Sequence, residues 1–145
     1  SSLGYLTDTG CWNDRVVDAL TDVDLLGIEF NHDVEMTRTS GRSPALIRRN
    51  LGDFGHLSND QAAALLRALL DRSSPGSLAQ VVLLHLSEDC NCAQIALTVA
   101  LETLKLHDHK AKVLVANQQT PLKQLWVKPG RRPRAFASIG FPWES

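Results

Sequence analysis

The sequence predicts an α/β domain whose strands form a mostly parallel sheet. Short apolar runs of strand length alternate with longer segments in which apolar residues recur at helical spacing. This alternation is typical of strands joined by crossover helices, which keep neighbouring strands parallel. The run Val81-Val82-Leu83-Leu84 is the clearest buried strand, and His85 follows it directly. Because ligands in α/β folds bind where strands end, this histidine is well placed to bind a metal or move a proton.

The first part of the chain predicts a short strand and a short helix. Residues 3–7 form a strand-length run that ends at Asp8, a carboxylate in the same strand-end position as the histidine above. Apolar residues at helical spacing then predict a helix over residues 15–20. Asn13 or Asp14 provides its N-cap.

The next part predicts a second buried strand and then a less regular segment. Residues 24–30 form an apolar run that leads into polar residues, which indicates another strand end. Residues 37–41 have the composition of a loop. Ser43 is a good N-cap and Pro44 a good first-turn residue, so a helix is predicted over residues 45–50.

The strongest helical pattern runs from residue 60 to about residue 72. This segment is rich in alanine and leucine, and its leucines form one apolar stripe. Ser58 or Asn59 provides the N-cap. A turn-rich segment over residues 73–77 then separates this helix from the strand that follows.

The last part predicts one long helix and up to three strands. Asn91 is a reasonable N-cap for a helix that runs to about residue 106. Residues 112–116 predict a fourth strand and residues 122–127 a fifth. Residues 134–139 predict either a last short strand or an extended arm.

Composition and charge exclude several classes of protein. The chain has 15 Lys and Arg residues against 16 Asp and Glu residues, so no overall positive field indicates nucleic acid. Arg131, Arg132 and Arg134 form the one local basic cluster, and a phosphate-contacting patch is the alternative to a solvated turn there. No apolar run reaches the roughly 18 residues of a membrane span, so no membrane partner is expected.

The cysteines indicate a reducing compartment. Their number is odd, and Cys90 and Cys92 are too close in sequence for an ordinary disulfide framework with Cys11. Free thiols persist in the cytoplasm, so we expect a cytoplasmic protein.

Asp8, His56 and His85 are the candidate site residues. His56 lies in a loop just before the strongest helical pattern, while the other two follow predicted strands. We expect the three side chains to converge on one site. Neutral imidazoles supply nitrogen ligands, and a carboxylate can bridge two cations, so the set suits divalent metals. Water bound to such metals can attack a substrate at neutral pH.

Four motifs together carry a resemblance to a known family. They are Leu6-Thr7-Asp8-Thr9-Gly10, Glu29-Phe30-Asn31-His32-Asp33, Gly55-His56-Leu57-Ser58-Asn59 and Leu84-His85-Leu86-Ser87-Glu88-Asp89-Cys90-Asn91. In this order they resemble the metallo-β-lactamase-fold hydrolases and, among these, the YycJ/WalJ-like subgroup, which is related to ribonuclease Z. The resemblance covers about the first two-thirds of the chain.

The resemblance implies a four-layer αββα sandwich and a hydrolase that uses two divalent metal ions, with zinc expected first and manganese as the alternative. It implies that Asp8 bridges the two metals and that His85 is the last metal-binding histidine. His56 matches the histidine that helps to protonate the leaving group in the ribonuclease Z branch, so it is the expected catalytic residue.

The resemblance also implies a substrate and the residues that bind it. The expected substrate is a phosphodiester, so the protein would be a phosphodiesterase or nuclease acting on nucleic acid. A small phosphodiester or a thioester is the first alternative. The second is a non-catalytic binding or scaffold module that keeps the fold without its metals. The expected substrate-binding residues are Asn31, His32, Ser58 and Asn59.

The chain departs from the family pattern in one large respect. The family takes most of its metal ligands from a His-x-His-x-Asp-His motif and a further histidine, all upstream of the residue that Asp8 matches, and the chain contains no such motif. We therefore expect residues 1–145 to be the C-terminal part of a single metallo-β-lactamase-fold domain, inactive alone, with the N-terminal half as its partner. Half a sandwich exposes apolar surface, so the isolated chain is expected to self-associate, with a homodimer as one outcome.

Overall fold

The computed structural model describes residues 1–127, which form one parallel sheet and five helices. The strands are β1 (Leu3–Leu6), β2 (Leu25–Glu29), β3 (Gln80–Leu84) and β4 (Lys112–Val115). The helices are α1 (Asp14–Leu20), α2 (Val34–Arg38), α3 (Pro44–Leu51), α4 (Asn59–Arg72) and α5 (Ala93–Leu106). The predicted α/β class is therefore confirmed.

The sheet has its strands in chain order, β1-β2-β3-β4, and every pair is parallel. Crossovers between parallel strands are right-handed, so successive steps in one direction place α1, α4 and α5 on the same face. In agreement with this, α4 packs against both α1 and α5. The fold is thus one sheet with one helical layer.

The core lies between this sheet face and the helices. Ile28 of β2 and Leu83 of β3 are paired in register, and both side chains are fully buried. Leu65 and Leu66 of α4 are fully buried in the same cluster. At about 25 cal/mol per Å² of buried apolar surface, such residues contribute much of the driving force for folding.

The opposite sheet face is exposed at its β1 end. Because side chains alternate along a strand, Leu3 and Tyr5 point away from the helical layer. They are 67% and 65% exposed. The expectation that the isolated chain self-associates through such surface stays a prediction. Within residues 1–127, none of the helices is both long and apolar enough to cross a bilayer.

The structure differs from the prediction at two segments. α2 was not predicted, yet Asp33 caps it, since its Oδ1 accepts from the Met36 amide at 2.8 Å. The predicted strand over 122–127 is wrong, because this segment has no regular structure. Most of its side chains are exposed, so pairing beside β4 would bury little apolar surface. Its Trp126 carbonyl instead accepts from Gln80 Nε2 at 2.8 Å.

The predicted strand or arm over residues 134–139 and the basic cluster of Arg131, Arg132 and Arg134 lie outside the described residues. The three cysteines are free: Cys90 is buried, and Cys11 and Cys92 are exposed. The expectation of a reducing compartment stays a prediction.

Candidate active site

The carboxyl ends of three neighbouring strands bring the candidate residues together. Asp8 follows β1 and His85 follows β3, while Glu29 is the last residue of β2, which lies between them. His56 approaches from the loop before α4. The His85 Nδ1 atom lies 3.6 Å from Asp8 Oδ1, and the His56 Nδ1 atom lies 4.0 Å from the same oxygen. The structure thus brings Asp8, His56 and His85 to one place.

Glu29 lies at the centre of this group and is fully buried. Its Oε1 accepts from His85 Nδ1 at 2.6 Å and from His56 Nδ1 at 2.9 Å. Its Oε2 accepts from the backbone amides of Leu57 at 3.2 Å and Thr9 at 3.3 Å. A buried carboxylate without partners would be very costly, and these four donors offset that cost.

The glutamate also fixes how each histidine presents itself. A carboxylate only accepts hydrogen bonds, so each Nδ1 carries the hydrogen when it contacts Glu29. Nε2 is then the nitrogen left for other chemistry, and no residue in the described part of the chain hydrogen-bonds either the His56 or the His85 Nε2. A carboxylate that holds one ring nitrogen so that the other can bind a metal is a recurrent arrangement.

The four side chains form one candidate metal-binding group. One ligand atom from each of Asp8, Glu29, His56 and His85 lies within 4.8 Å of the others. Asp8 has a side chain that is 69% exposed, so its oxygens are accessible, whereas the Glu29 oxygens already have four donors. Asp8 is therefore better placed as a direct ligand than Glu29.

The backbone at two site residues has an unusual conformation. Asp8 and His85 have φ angles of 59° and 55°, in the left-handed region that costs a residue with a side chain about 1–3 kcal/mol. Asn31 stabilises the turn after β3, which carries His85, since the Asn31 Nδ2 atom donates to the His85 carbonyl at 2.7 Å. The Ser87 amide donates back to the Asn31 carbonyl at 2.7 Å. Asn31, predicted to bind substrate, is thus in contact with the turn that carries His85.

His32, another predicted substrate-binding residue, is only 2% exposed. Its Nδ1 lies 3.3 Å from Asn31 Oδ1, and its Nε2 has no partner within residues 1–127. Burial lowers the pKa of His32 from its ordinary value, and the nearby His56 lowers it further. This shift favours the neutral form of the His32 ring. A direct contact between His32 and a substrate stays a prediction, and it would require the His32 side chain to become more exposed.

Ser58 and Asn59, also predicted to bind substrate, are buried and already hydrogen-bonded. Ser58 is the N-cap of α4 and forms a capping box with Gln61. Asn59 exchanges two hydrogen bonds with Asn91, at 3.0 and 2.9 Å. Substrate binding by Ser58 and Asn59 stays a prediction, and in the structure their side chains hold the loops around the site.

Asn91 is not the N-cap of α5, as had been predicted. Cys92 occupies that position, without a side-chain cap. The Asn91 side chain is buried and is used elsewhere: besides Asn59, its Nδ2 donates to the Phe30 carbonyl at 2.8 Å. It thereby joins β2, α4 and the loop after β3, which are the elements that position the site.

Replacing Asn91 by alanine is expected to lower the free energy of unfolding by about 2–3 kcal/mol, because the buried Asn59 amide and Phe30 carbonyl lose their partner. Denaturant unfolding measures the loss. Gln94→Ala, at an exposed position of α5, is the control and should change stability by less than about 0.5 kcal/mol. Equal stability of both variants would contradict the role of the Asn59–Asn91 pair.

Sequence reasoning did not assign Glu29 to the site. One signal could have indicated it: Glu29 lies within the apolar run of residues 24–30, and a charged residue in a buried strand requires a partner. The identity of that partner is not readable from the sequence, because His56 and His85 lie 27 and 56 residues away.

Comparison with known proteins gives relatives but no matching family model. The chain is 40% identical over 96 residues to "Exodeoxyribonuclease WalJ" of two strains of Streptococcus pneumoniae, serotype 2 strain D39 and strain R6. It is 38% identical over 96 residues to "Exodeoxyribonuclease YycJ" of Bacillus anthracis. These matches cover 66%, 66% and 65% of this chain and 34% of each relative. The chain therefore spans about a third of the length of the curated relatives that it matches. As its four motifs predicted, the chain is related to WalJ and YycJ.

Proposed function

We propose that this chain is the C-terminal part of a metal-dependent nuclease that hydrolyses phosphodiester bonds in DNA. The observation that carries the proposal is the shared carboxylate: Glu29 Oε1 holds the Nδ1 atoms of both His56 and His85, 4.0 and 3.6 Å from the accessible Asp8 Oδ1, and leaves the Nε2 atom of each ring without a hydrogen bond within residues 1–127. The relatives named exodeoxyribonucleases support DNA as the substrate.

The donor set fits a divalent metal. Asp8 offers a carboxylate oxygen that can bridge two ions, and His85 offers an imidazole nitrogen, a combination that suits zinc and also manganese. Two protein ligands leave most coordination positions unfilled, so we propose that an upstream part of the same protein supplies the other ligands of a two-metal site. Bound there, the metals would supply Lewis acidity and a more acidic water.

The two histidines have different roles in this proposal. His85 sits on a turn that β3 and Asn31 hold in place, so it is the rigid ligand. His56 sits in a loop, at the same glutamate, and its Nε2 would deliver a proton to the departing oxygen of the substrate. Glu29 Oε1, which lies 2.9 Å from the His56 Nδ1 atom, would hold the ring in the orientation that this transfer requires.

An upstream part of the same protein would also account for the exposed face of the sheet. We propose that residues 1–145 and an upstream part fold together as one domain, and that the upstream part covers Leu3 and Tyr5. A cytoplasmic location stays an expectation, and a homodimer stays one for the isolated chain, in which Leu3 and Tyr5 remain exposed.

Metal content and hydrolysis by the full-length protein test the proposed function. We expect stoichiometric zinc or manganese after purification, loss of DNA hydrolysis on chelation, and recovery when the metal returns. End-labelled single- and double-stranded DNA, bis-p-nitrophenyl phosphate and a thioester are the substrates to compare. A full-length protein that binds no metal and cleaves none of them would be a scaffold, and one that cleaves only the thioester would have another substrate class.

A further inference from the structure

The segment between α2 and His56 forms a surface beside the candidate site. It consists of α3 and the tight turn that follows, residues 44–55, and we call it the α3 arm. No residue of α3 is buried, and its closest helical neighbour is α2 rather than the core layer. The sheet and its helices therefore do not need this arm for their packing.

The α3 arm is nevertheless held against the site. The carbonyls of Gly52 and Asp53 approach Gly10 so closely that a Cβ atom at Gly10 would clash with them, and Gly10 belongs to the turn that carries Asp8. The Gly55 amide donates to the Gly52 carbonyl at 2.9 Å, which closes the turn. The end of the arm is thus fixed beside Asp8.

The chemistry of the arm is aromatic and basic. Phe54 is 98% exposed and lies two residues before His56, so their Cα atoms are at most about 7.6 Å apart. Arg48 and Arg49, in the last turn of α3, are exposed and have no acidic partner among the described residues. An aromatic ring and two unpaired guanidinium groups next to a site for phosphodiester cleavage match the two parts of a nucleotide, its base and its phosphate.

We propose that the α3 arm binds the single-stranded part of a DNA substrate next to the bond that is cleaved. Phe54 stacks on an unpaired base, while Arg48 and Arg49 bind phosphates of the same strand. Stacking needs an exposed base face, which a paired duplex does not offer within its stack, so the arm favours a single strand over a blunt duplex. This proposal rests on the proposed function, because it assigns a substrate-binding surface to the same site.

Binding of a short phosphorothioate single strand by the metal-loaded full-length protein tests the proposal by fluorescence anisotropy. We expect Phe54→Ala and Phe54→Leu to weaken binding about tenfold and Phe54→Trp to preserve it, because a tryptophan ring stacks while leucine does not. The loss should be smaller for a blunt duplex. Thermal melting of Phe54→Ala should equal that of the unmodified protein, because the side chain is exposed.

The arginines have their own readout. The double variant Arg48→Ala/Arg49→Ala should lower the slope of log Kd against log salt concentration by about 0.7 for each lost phosphate contact. Arg67→Ala, an exposed arginine of α4, is the matched control and should leave the slope unchanged.

The outcomes separate this proposal from the proposed function. Unchanged single-strand affinity in Phe54→Ala, or equal affinity of the leucine and tryptophan variants, would overturn the binding role of the α3 arm while the nuclease assignment stands. If the unmodified protein neither binds nor cleaves DNA, the proposed function itself fails, and the arm has no DNA to hold.

Discussion

Replacing Glu29 by glutamine in the full-length protein is expected to lower the rate of DNA hydrolysis by about 10- to 100-fold. A neutral amide has one oxygen in place of two, so it cannot accept from two imidazoles and two backbone amides at once. The orientation of both imidazole rings is then lost. Steady-state kinetics with metal content measured on the same samples checks this.

Glu35→Gln is the matched control for this substitution, since Glu35 is exposed in the first turn of α2. It should retain full activity. The folded state of the Glu29 variant is checked by circular dichroism and thermal melting. If Glu29→Gln folds and hydrolyses DNA as fast as the unmodified protein, then Glu29 is a structural residue and the shared-carboxylate interpretation is wrong.

His85→Ala and His56→Ala are expected to lose DNA hydrolysis for different reasons. His85→Ala should lose bound metal and, with it, hydrolysis, as should Asp8→Asn, which weakens a bridging ligand. His56→Ala should keep its metal and lose about 10²- to 10⁴-fold in kcat, the usual contribution of a positioned proton donor. Metal analysis beside single-turnover kinetics distinguishes the two patterns.

His107→Ala is the control for these histidine variants, because His107 lies at the end of α5, where its Nε2 is 3.2 Å from Asp71. It should keep metal and activity. Full activity in both His85→Ala and Asp8→Asn would show that the metal ligands are wrongly assigned, and loss of metal in His56→Ala would make that residue a ligand instead of a proton donor.

Much of the fold could be predicted because its strands are continuous apolar runs. β2 and β3 are recognisable in the sequence for that reason, and with them the strand-end positions of Asp8 and His85. By contrast, α2 has five residues, too few for a clear helical period, and its capping Asp33 looked like part of a polar loop. At residues 122–127 the sequence has an apolar pattern typical of a strand. The prediction failed there because the segment does not pack against a buried surface.

The individual residues of the candidate site could be predicted from the sequence, but the contacts among them could not. Asp8, His56 and His85 were each recognisable as polar residues at strand ends or before a helix. The role of Glu29 depends on β2 lying between β1 and β3, with Glu29 paired to Leu84, which only the folded sheet provides. Likewise, Asn59 was predicted as a possible helix N-cap and a substrate-binding residue, whereas packing buries it against Asn91.

The separation of the α3 arm from the core has an evolutionary consequence. Because α3 buries no residue, substitutions of its exposed side chains would leave the sheet register and the Glu29–histidine geometry intact. Substrate preference can therefore diverge by drift in one short surface segment, while the chemical machinery stays under strict constraint. Two descendants of the same ancestor could share every reacting group and still choose different ends of a nucleic acid.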